Sequence, residues 1–384
     1  MMGKPLKQSR GELAGMAGRA HHMMAIAEES LADTVVPGKA GFERRIERVP
    51  LGVVFNMPAW NYPLLTCVNA VFPAVLAGNA VILKHSTRTA LCGEHFADAF
   101  AAAGAPEGLF TAVHCDHDAA AHLAKRADYV AFTGSVGGGH AVYRAVAHGC
   151  ADAGLELGGK DAAYVCDDAN IAAAAASLVD GACYNAGQSC CGIERVYVAE
   201  SRFDDFVAAC REEMAKLTLG DPQTDVNMGP MAQPGAPDFI RGPVQEAAAA
   251  GAEVLLGGDK LQIDGKGRVF ARTLLVGVTQ TMRVMQEENC GPVLPDMAGA
   301  DDEAALAAMN DSELGLTASL WTADRDRAAA LARRLAVGTV YLNQCDTLDP
   351  ALPWTGVKDS GKGSTLSPLG FLHLTRPRSI NFKL

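Results

Sequence analysis

The chain has 384 residues, of which 49% are hydrophobic and 20% charged, and its formal net charge is −11. This length predicts two or more lobes, because it is too great for one small core. The composition is typical of a folded globular protein and excludes intrinsic disorder. The acidic balance argues against nucleic acid and against anionic membrane surfaces as partners, because both attract clustered Lys and Arg.

Membrane, secretory and metal-binding features are not expected. The longest apolar stretch, Tyr62 to Leu83, is interrupted by polar residues, by Pro73 and by Gly78, and the N-terminus has no apolar signal core. The 11 cysteines are irregularly spaced, which in such a chain indicates reduced thiols and a cytoplasmic protein. No set of Cys and His residues has metal-ligand spacing.

The two ends of the chain are predicted to meet in a small sheet. Residues 11–31 form a helix in this interpretation, with one apolar face made of Leu13, Met16, Ala20 and Met24. Pro37-Gly38 predicts a hairpin within residues 32–50, and residues 374–384 are expected to form a strand paired with it. An exposed tail strand needs a further partner, which favours a homodimer or homotetramer.

From Val49 onward, short apolar strands alternate with helical segments. Strands are expected at residues 53–55, 80–84, 109–114 and 129–132, and helices at 61–76, 89–103 and 118–124. This order predicts a parallel sheet covered by helices, which binds ligands beyond the carboxyl ends of its strands. Three polar motifs follow these strands directly: Pro58-Ala59-Trp60-Asn61, Lys84-His85-Ser86 and Phe132-Thr133-Gly134-Ser135.

A second αβ lobe is predicted to begin near Gly159, with helices at 171–182 and 202–217 and a strand at 195–198. The segment from Tyr184 to Cys191 places Cys190 just past a Gly-Gln turn, as a thiol at a loop tip. Upstream, the segment from Leu155 to Lys160 places Glu156 between apolar residues. A thiol nucleophile and a carboxylate base are the two groups needed to form and then hydrolyse a thioester.

These motifs, in this order, resemble the aldehyde dehydrogenase superfamily from about Arg10 to the C-terminus. Other matching segments are Pro50 to Val54, Ala77-Gly78-Asn79, Glu287-Glu288 with Gly291-Pro292, and Lys358 to Gly361. The resemblance implies an α/β subunit with two doubly wound parallel-sheet lobes and a small bridging β-hairpin used in oligomerisation. The domains expected from it are a dinucleotide-binding domain at residues 1–31 and 51–158, a catalytic domain at 159–373, and bridging strands at 32–50 and 374–384.

The resemblance also implies a reaction. Cys190 attacks an aldehyde, NAD or NADP takes up the hydride, and water activated by Glu156 hydrolyses the thioester to a carboxylic acid. The Asn61 side chain and the Cys190 backbone N–H are the implied donors to the oxyanion.

The implied cofactor-binding residues are Trp60, Lys84, Ser86, Thr87, Gly134, Ser135, Gly139, Leu157 and Glu288. The diphosphate is expected near Ser135 and Trp60, at the start of the following helix. The implied substrate-pocket residues are Tyr62, Tyr184, Ser189, Cys191 and Trp354. Their aromatic members favour an apolar or aromatic aldehyde, and no Arg is among the implied tunnel-lining positions to clamp the carboxylate of a semialdehyde acid.

Three features of the sequence depart from the family pattern. Many members carry Glu where this chain has Thr87, and losing that carboxylate predicts that NADP is accepted alongside NAD. Phe is usual where this chain has Cys290, which predicts looser positioning of the cofactor. Members also usually have a longer segment before the part that matches Gly11, so either the start lies upstream or one wall of the tunnel is missing.

Three hypotheses follow from these observations. The first is a hydrolytic NAD(P)-dependent aldehyde dehydrogenase. The second is a coenzyme A-acylating dehydrogenase, which a water-activating base at Glu156 disfavours. The third is a non-catalytic or impaired dinucleotide-binding protein, disabled by its short N-terminus. The physiological aldehyde, the preferred cofactor and the choice between dimer and tetramer stay open at this point.

Overall fold

The computed structural model describes residues 2–263, 266–299 and 301–384. Within these residues the α-helices, numbered α1 to α12 in chain order, span Leu6–Leu31, Leu65–Leu76, Ala90–Ala102, His117–Ala124, Val136–Val146, Ile171–Cys183, Phe203–Lys216, Ala236–Ala249, Arg283–Gln286, Asp302–Asn310, Arg325–Ala332 and Leu369–Leu372. The strands, numbered β1 to β20, span Thr34–Val35, Phe42–Pro50, Val53–Met57, Ala80–Leu83, Phe110–Ala112, Tyr129–Thr133, Asp152–Glu156, Asp161–Val165, Ile193–Val198, Glu253–Leu256, Lys260–Ile263, Lys266–Phe270, Thr273–Val276, Val293–Ala298, Leu314–Gly315, Thr317–Trp321, Thr339–Leu342, Val357–Lys358, Gly361–Lys362 and Thr375–Lys383.

One compact unit contains Gly11–Glu156, Leu348–Thr355 and Gly361–Leu384. Its main sheet has the strand order β19-β7-β6-β3-β4-β5, and all of its neighbouring strands run parallel except β19. The carboxyl ends of β3, β4, β6 and β7 therefore lie at the same edge. The predicted pairing of the hairpin with the tail is confirmed in the same unit, where β2 runs antiparallel to β20 from Phe42↔Lys383 to Pro50↔Thr375.

The other compact unit contains the segment ending at Arg10, Leu157–Thr347 and Gly356–Ser360. Its seven-stranded sheet has the order β10-β13-β14-β9-β8-β16-β17, and only β10 runs antiparallel to its neighbour. The alanine-rich helix α6 buries Ala174, Ala175 and Leu178 in the core of this unit. The predicted α/β class with parallel sheets is therefore confirmed.

The N-terminal helix differs from its prediction in both length and buried face. It begins at Leu6, and its buried residues are Glu12, Ala20, Met23 and Ala27. Leu13 and Met24, which were predicted to face the core, are 54% and 43% exposed. The buried face of the helix is rotated from the predicted one because the Glu12 carboxylate is buried, where it accepts a hydrogen bond from the backbone N–H of Leu64 at 2.8 Å.

The second helix also starts later than predicted, at Leu65 instead of Asn61, so Asn61 is not its N-cap. The physical reason is Pro63: a residue that precedes proline is disfavoured in helical geometry, which keeps Tyr62 in the loop. Upstream of α3, Thr87–Thr89 form a 3-10 turn. Among the described residues, no helix is long and apolar enough to cross a membrane.

Candidate active site

Cys190 lies in a tight loop between α6 and β9. Helix α6 ends at Cys183, and the 3-10 turn Tyr184–Gly187 follows it. Asn185 and Ala186 adopt left-handed backbone conformations, with φ of 53° and 57°. Non-glycine residues seldom adopt this conformation, and it persists only where the surroundings impose it.

Gln188 supplies much of that constraint. Its buried side chain donates from Nε2 to the carbonyl of Asn185 at 3.0 Å and accepts at Oε1 from the N–H of Ala232 at 2.9 Å. The Asn185 amide in turn donates to the Gln188 carbonyl at 3.1 Å. The loop is thus fixed on both sides of the turn, and Cys190 is left half-buried at its end.

Two glycines let the backbone approach this loop closely. A Cβ atom on Gly159 would lie 2.1 Å from the carbonyl oxygen of Cys190. A Cβ atom on Gly187, whose φ is +70°, would lie 2.2 Å from the carbonyl carbon of Gly291. Real Cβ atoms do not come so near, so the Cys190 loop packs against the segments containing Gly159 and Gly291 because Gly159 and Gly187 lack side chains.

A buried ion pair ties these same segments together. Lys160 Nζ lies 2.6 Å from Glu194 Oε2, and their side chains are 0% and 3% exposed. The Glu194 carboxylate also accepts the backbone N–H groups of Asn289 and Cys290, at 2.9–3.1 Å and 2.9 Å. Burial lowers the pKa of Lys160, and the nearby Glu194 carboxylate opposes that shift. One carboxylate therefore joins the starts of β8 and β9 to the turn before β14.

Glu288 lies on the same turn. Its Oε1 accepts the N–H of Gly159 at 3.2 Å, and a Cβ atom on Gly158 would lie 2.3 Å from Oε2. Burial raises the pKa of Glu288 to about 7, and the Cys290 thiol is hydrogen-bonded to its carboxylate. Leu157, the other predicted cofactor residue in this unit, is buried and donates its N–H to the carbonyl of Ser360 at 2.9 Å.

The predicted pocket residues beside Cys190 are largely enclosed. Ser189 and Cys191 are 2% and 5% exposed, with Oγ and Sγ 3.4 Å apart, whereas Tyr184 is half-buried. The Cys191 thiol donates to Asp346 Oδ1 at 2.8 Å. A hydrogen bond with the Cys190 thiol, together with burial, raises the pKa of Cys191 well above its usual value.

In the other unit, Glu156 ends β7 and faces polar side chains. Thr133 Oγ1 donates to its Oε2 at 3.1 Å, and Thr365 Oγ1 donates to its Oε1. Burial raises the pKa of Glu156, while these donors, the Asn69 amide and the Arg19 charge oppose the shift. Trp354 of this unit is 5% exposed, and its backbone is paired with that of Thr365.

The predicted cofactor motifs of this unit follow β3, β4 and β6 at one sheet edge. Trp60, Asn61 and Tyr62 come after β3 and are half-buried, and Asn61 Oδ1 accepts the N–H of Tyr62 at 3.0 Å. After β4, Lys84 and Ser86 are half-buried and Thr87 is exposed.

Ser135 caps the helix that follows β6. Its Oγ accepts the N–H of Gly138 at 3.2 Å. Among the described residues, nothing lies within 4 Å of a Cβ atom placed on Gly137, so the first turn of α5 is open at that position. The N–H of Gly139 is already taken by the Ser135 carbonyl at 2.9 Å, so Gly139 can contribute closeness of approach but no N–H donor.

Comparison with known proteins agrees with these motifs. The sequence matches the aldehyde dehydrogenase family over residues 1–380. An aldehyde dehydrogenase of Paenarthrobacter nicotinovorans is 34% identical over 99% of this chain and 84% of its own length. The succinate semialdehyde dehydrogenase [NAD(P)+] of Escherichia coli strain K12 is 35% identical over 96% of this chain and 80% of its own length. The chain belongs to the aldehyde dehydrogenase family.

Solved structures of family members superpose closely on this chain. Lactaldehyde dehydrogenase from Escherichia coli has a TM-score of 0.95 at 30% identity, over 100% of this chain and 81% of that protein. A betaine aldehyde dehydrogenase of Staphylococcus aureus solved in complex with NAD+ has a TM-score of 0.94 at 27% identity, over 99% and 76%. The family and the enzyme class predicted from the sequence are therefore confirmed.

The residues of this aldehyde dehydrogenase fit a dinucleotide. Lys84 is a cation at the carboxyl edge of a parallel sheet, where such sheets bind nucleotides. The first turn of α5 offers a partial positive charge to a diphosphate. Trp60 follows β3, the strand that neighbours β6, and the Arg88 guanidinium carbon lies 5.6 Å from the centroid of its ring.

Several residues of this aldehyde dehydrogenase were missed from the sequence. Glu194 lies in a buried strand with no motif around it, and Arg19 lies on a helix whose apolar periodicity predicted a different buried face. Arg88, an exposed cation next to Thr87, could have been noticed as a possible phosphate ligand. His85 is buried, with Nε2 3.0 Å from the Pro63 carbonyl oxygen and Nδ1 3.0 Å from Thr89 Oγ1. All 11 cysteines are free thiols.

Proposed function

We propose that the chain oxidises an aldehyde to a carboxylic acid with NAD or NADP as the hydride acceptor. The observation that carries this proposal is the half-buried thiol of Cys190, on a loop fixed by Gln188 and packed against glycine backbone. Support for the cofactor comes from relatives that are named as NAD(P)+-dependent and NADP(+)-dependent dehydrogenases.

Cys190 is the nucleophile. Its thiolate adds to the aldehyde carbon, forms the C–S bond and leaves a negative charge on the carbonyl oxygen. The side-chain N–H of Asn61 and the backbone N–H of Cys190 stabilise that oxyanion. A bound nicotinamide would supply the hydride acceptor, and loss of a hydride from the thiohemiacetal carbon would leave a thioester on Cys190.

Glu156 is the base for the second half-reaction. It takes a proton from water, and the resulting hydroxide adds to the thioester carbonyl and expels the Cys190 thiolate. Burial raises the pKa of Glu156 toward the operating range of a general base, and its hydrogen-bond donors keep that shift in check. A carboxylic acid leaves, and the proton held by Glu156 returns to solvent.

The cofactor-binding residues are assigned from the family resemblance. Lys84 and Ser86 are assigned to the ribose on the adenosine side, and Ser135 and Trp60 to the diphosphate. Glu288 is assigned to the nicotinamide ribose, and Gly134, Gly139 and Leu157 to close backbone contacts. Thr87 in place of a carboxylate leaves room for a 2′-phosphate, so both NAD and NADP are accepted.

The substrate pocket favours an aldehyde with an apolar or aromatic group, through Tyr62, Tyr184 and Trp354. Ser189 and Cys191 complete it beside the nucleophile. The relatives named succinate semialdehyde dehydrogenases make a charged semialdehyde the comparison to run against apolar substrates.

The protein is assigned to the cytoplasm and to a homodimer or homotetramer. In its three-stranded sheet, β20 is an edge strand, and Phe382 and Leu384 are 53% and 83% exposed. An unpaired edge with exposed apolar side chains is a surface that assembly covers.

The test is NAD(P)H formation by the purified chain with aliphatic aldehydes, aromatic aldehydes and succinate semialdehyde. Cys190→Ala should abolish turnover, a loss of at least about 10⁴-fold, while Cys150→Ala, which removes an exposed thiol, should not change it. Free acid as product supports hydrolysis, whereas a thioester formed only with coenzyme A supports the acylating alternative. Cofactor binding by folded protein without any turnover would contradict the proposal in favour of a non-catalytic dinucleotide-binding protein.

A further inference from the structure

Two polar residues on α1, spaced two helical turns apart, face the beginning of α2. Glu12 Oε1 accepts the backbone N–H groups of Leu64 at 2.8 Å and Leu65 at 3.4 Å. Arg19 Nη1 donates to Asn69 Oδ1 at 2.9 Å and to the Leu65 carbonyl at 3.4 Å. Residues seven apart lie on one side of a helix, so this pair fixes both the rotation and the height of α1 against α2.

Asn69 connects Arg19 to Glu156. Asn69 is 3% exposed, and its Oδ1 accepts the Arg19 hydrogen bond. An amide has one accepting and one donating end, so this contact orients Nδ2 as the donor to other groups. Asn69 and Glu156 line the same small cavity, and the Asn69 amide and the Arg19 charge both lower the pKa of that carboxylate.

Other polar and titratable groups also lie near Glu156. Thr133 and Tyr129 come from β6, and Thr365 follows β19. Lys362 and His373 line the same small cavity, whose volume of about 20 Å³ is room for about one water molecule. Lys362 forms an ion pair with Asp152. The Asp152 charge therefore offsets part of the effect of the Lys362 charge on Glu156.

We propose that Arg19 is a positioning residue for Glu156, acting through Asn69 so that the amide N–H stays pointed at the carboxylate. The proposal rests on the role of Glu156 as base in the function proposed above. Without Arg19, the Asn69 amide can turn its oxygen toward the carboxylate, which converts a donor into a repulsive acceptor. The nearby positive charge is lost at the same time, and the buried carboxylate then holds its proton to higher pH.

The test measures hydrolysis of the acyl-enzyme as a function of pH. An activated ester such as 4-nitrophenyl acetate acylates Cys190 without any cofactor, so the initial phenolate burst reports acylation and the following steady rate reports deacylation. Arg19→Met should leave the burst amplitude unchanged. It should lower deacylation at pH 7 by about tenfold and move the midpoint of the pH–rate rise up by about one unit.

Matched variants separate positioning from folding. Arg10→Met makes the same chemical change at an exposed site on the same helix and should leave the pH profile unchanged. Arg19→Lys keeps the charge and should restore part of the profile. Asn69→Leu should shift the midpoint in the same direction but by less, because the Arg19 charge remains. Arg19→Met combined with Asn69→Leu should shift it by less than the sum of the two single changes, because both remove the oriented amide.

An unchanged midpoint in folded Arg19→Met or, where that variant is unstable, in Asn69→Leu overturns the inference. Glu156→Gln distinguishes this result from a failure of the proposed function. If Glu156→Gln deacylates at the wild-type rate, the assignment of the base is wrong and the inference falls with it. If Glu156→Gln is slow and Arg19→Met keeps the wild-type profile, only the inference about Arg19 is overturned.

Discussion

The two mainly parallel sheets of this chain carry their proposed functional motifs at opposite ends of their strands. In the unit built on β3, β4 and β6, the motifs containing Trp60, Lys84 and Ser135 follow the strands. In the unit built on β8, β9 and β14, the segments containing Lys160, Cys190 and Glu288 precede the strands. The usual rule, that ligands lie beyond the carboxyl ends of parallel strands, describes the first sheet and misses the second.

The two edges also differ in how their side chains are held. At the carboxyl edge, Thr87 is exposed and Lys84 is half-buried, so residues there can change with little effect on packing. At the amino edge, the Lys160–Glu194 pair is buried and joins three chain segments. We infer that the amino edge is a rigid platform for the reacting thiol, whereas the carboxyl edge adjusts cofactor preference.

The largest effect is expected from removing one partner of the buried Lys160–Glu194 pair. Lys160→Met leaves the Glu194 carboxylate buried without its cation and should lower the free energy of unfolding by about 3–5 kcal/mol. Urea denaturation measures that loss, and the activity of the remaining folded enzyme should fall with it. Lys160→Met combined with Glu194→Gln should recover part of the stability, because no uncompensated charge is left. A loss below about 1 kcal/mol in Lys160→Met would contradict the rigid-platform interpretation.

The sequence predicted the elements better than the contacts between them. The order of strands and helices was readable because hydrophobic periodicity and Gly or Pro breakers act locally. The buried face of α1 was not, because a carboxylate at Glu12 and a guanidinium at Arg19 find partners on α2 that no local pattern reveals. Cys190 and Glu156 were proposed through motif resemblance, while Glu194, which lies at the amino edge beside the Cys190 loop, has no local signal.

A second prediction concerns Asp296, a buried carboxyl group in the unit built on β8, β9 and β14. Asp296 on β14 is 0% exposed, and neither of its carboxylate oxygens has a hydrogen-bond partner among the described residues. Burial raises its pKa well above the usual value, which favours the protonated form of Asp296 in the folded chain. Unlike Glu194, Asp296 should therefore oppose folding at neutral pH.

The sign follows from proton linkage. Above a pH of about 4 the unfolded chain releases the Asp296 proton while the folded chain retains it, so stability falls as pH rises, by up to about 1.4 kcal/mol per pH unit. The fall ends at the folded-state pKa. Asp296→Asn removes this contribution and should be more stable than wild type by about 2 kcal/mol at pH 7, with little difference near pH 4. Equal stabilities across that range in urea denaturation would show that Asp296 is not a buried acid.

The smallest effect is expected from a substitution at the carboxyl edge of the first sheet. Thr87→Glu places a carboxylate beside Arg88, where it should repel a 2′-phosphate and neutralise the cation that attracts it. We expect the KM for NADP to rise about tenfold, worth about 1.4 kcal/mol, with little change in the KM for NAD or in the unfolding midpoint. Thr87→Gln is the matched control, since it has the size of Glu without its charge. If Thr87→Gln raises the KM for NADP as much as Thr87→Glu does, the effect is steric. If either variant lowers stability as Lys160→Met is expected to, the two edges do not differ in the way proposed.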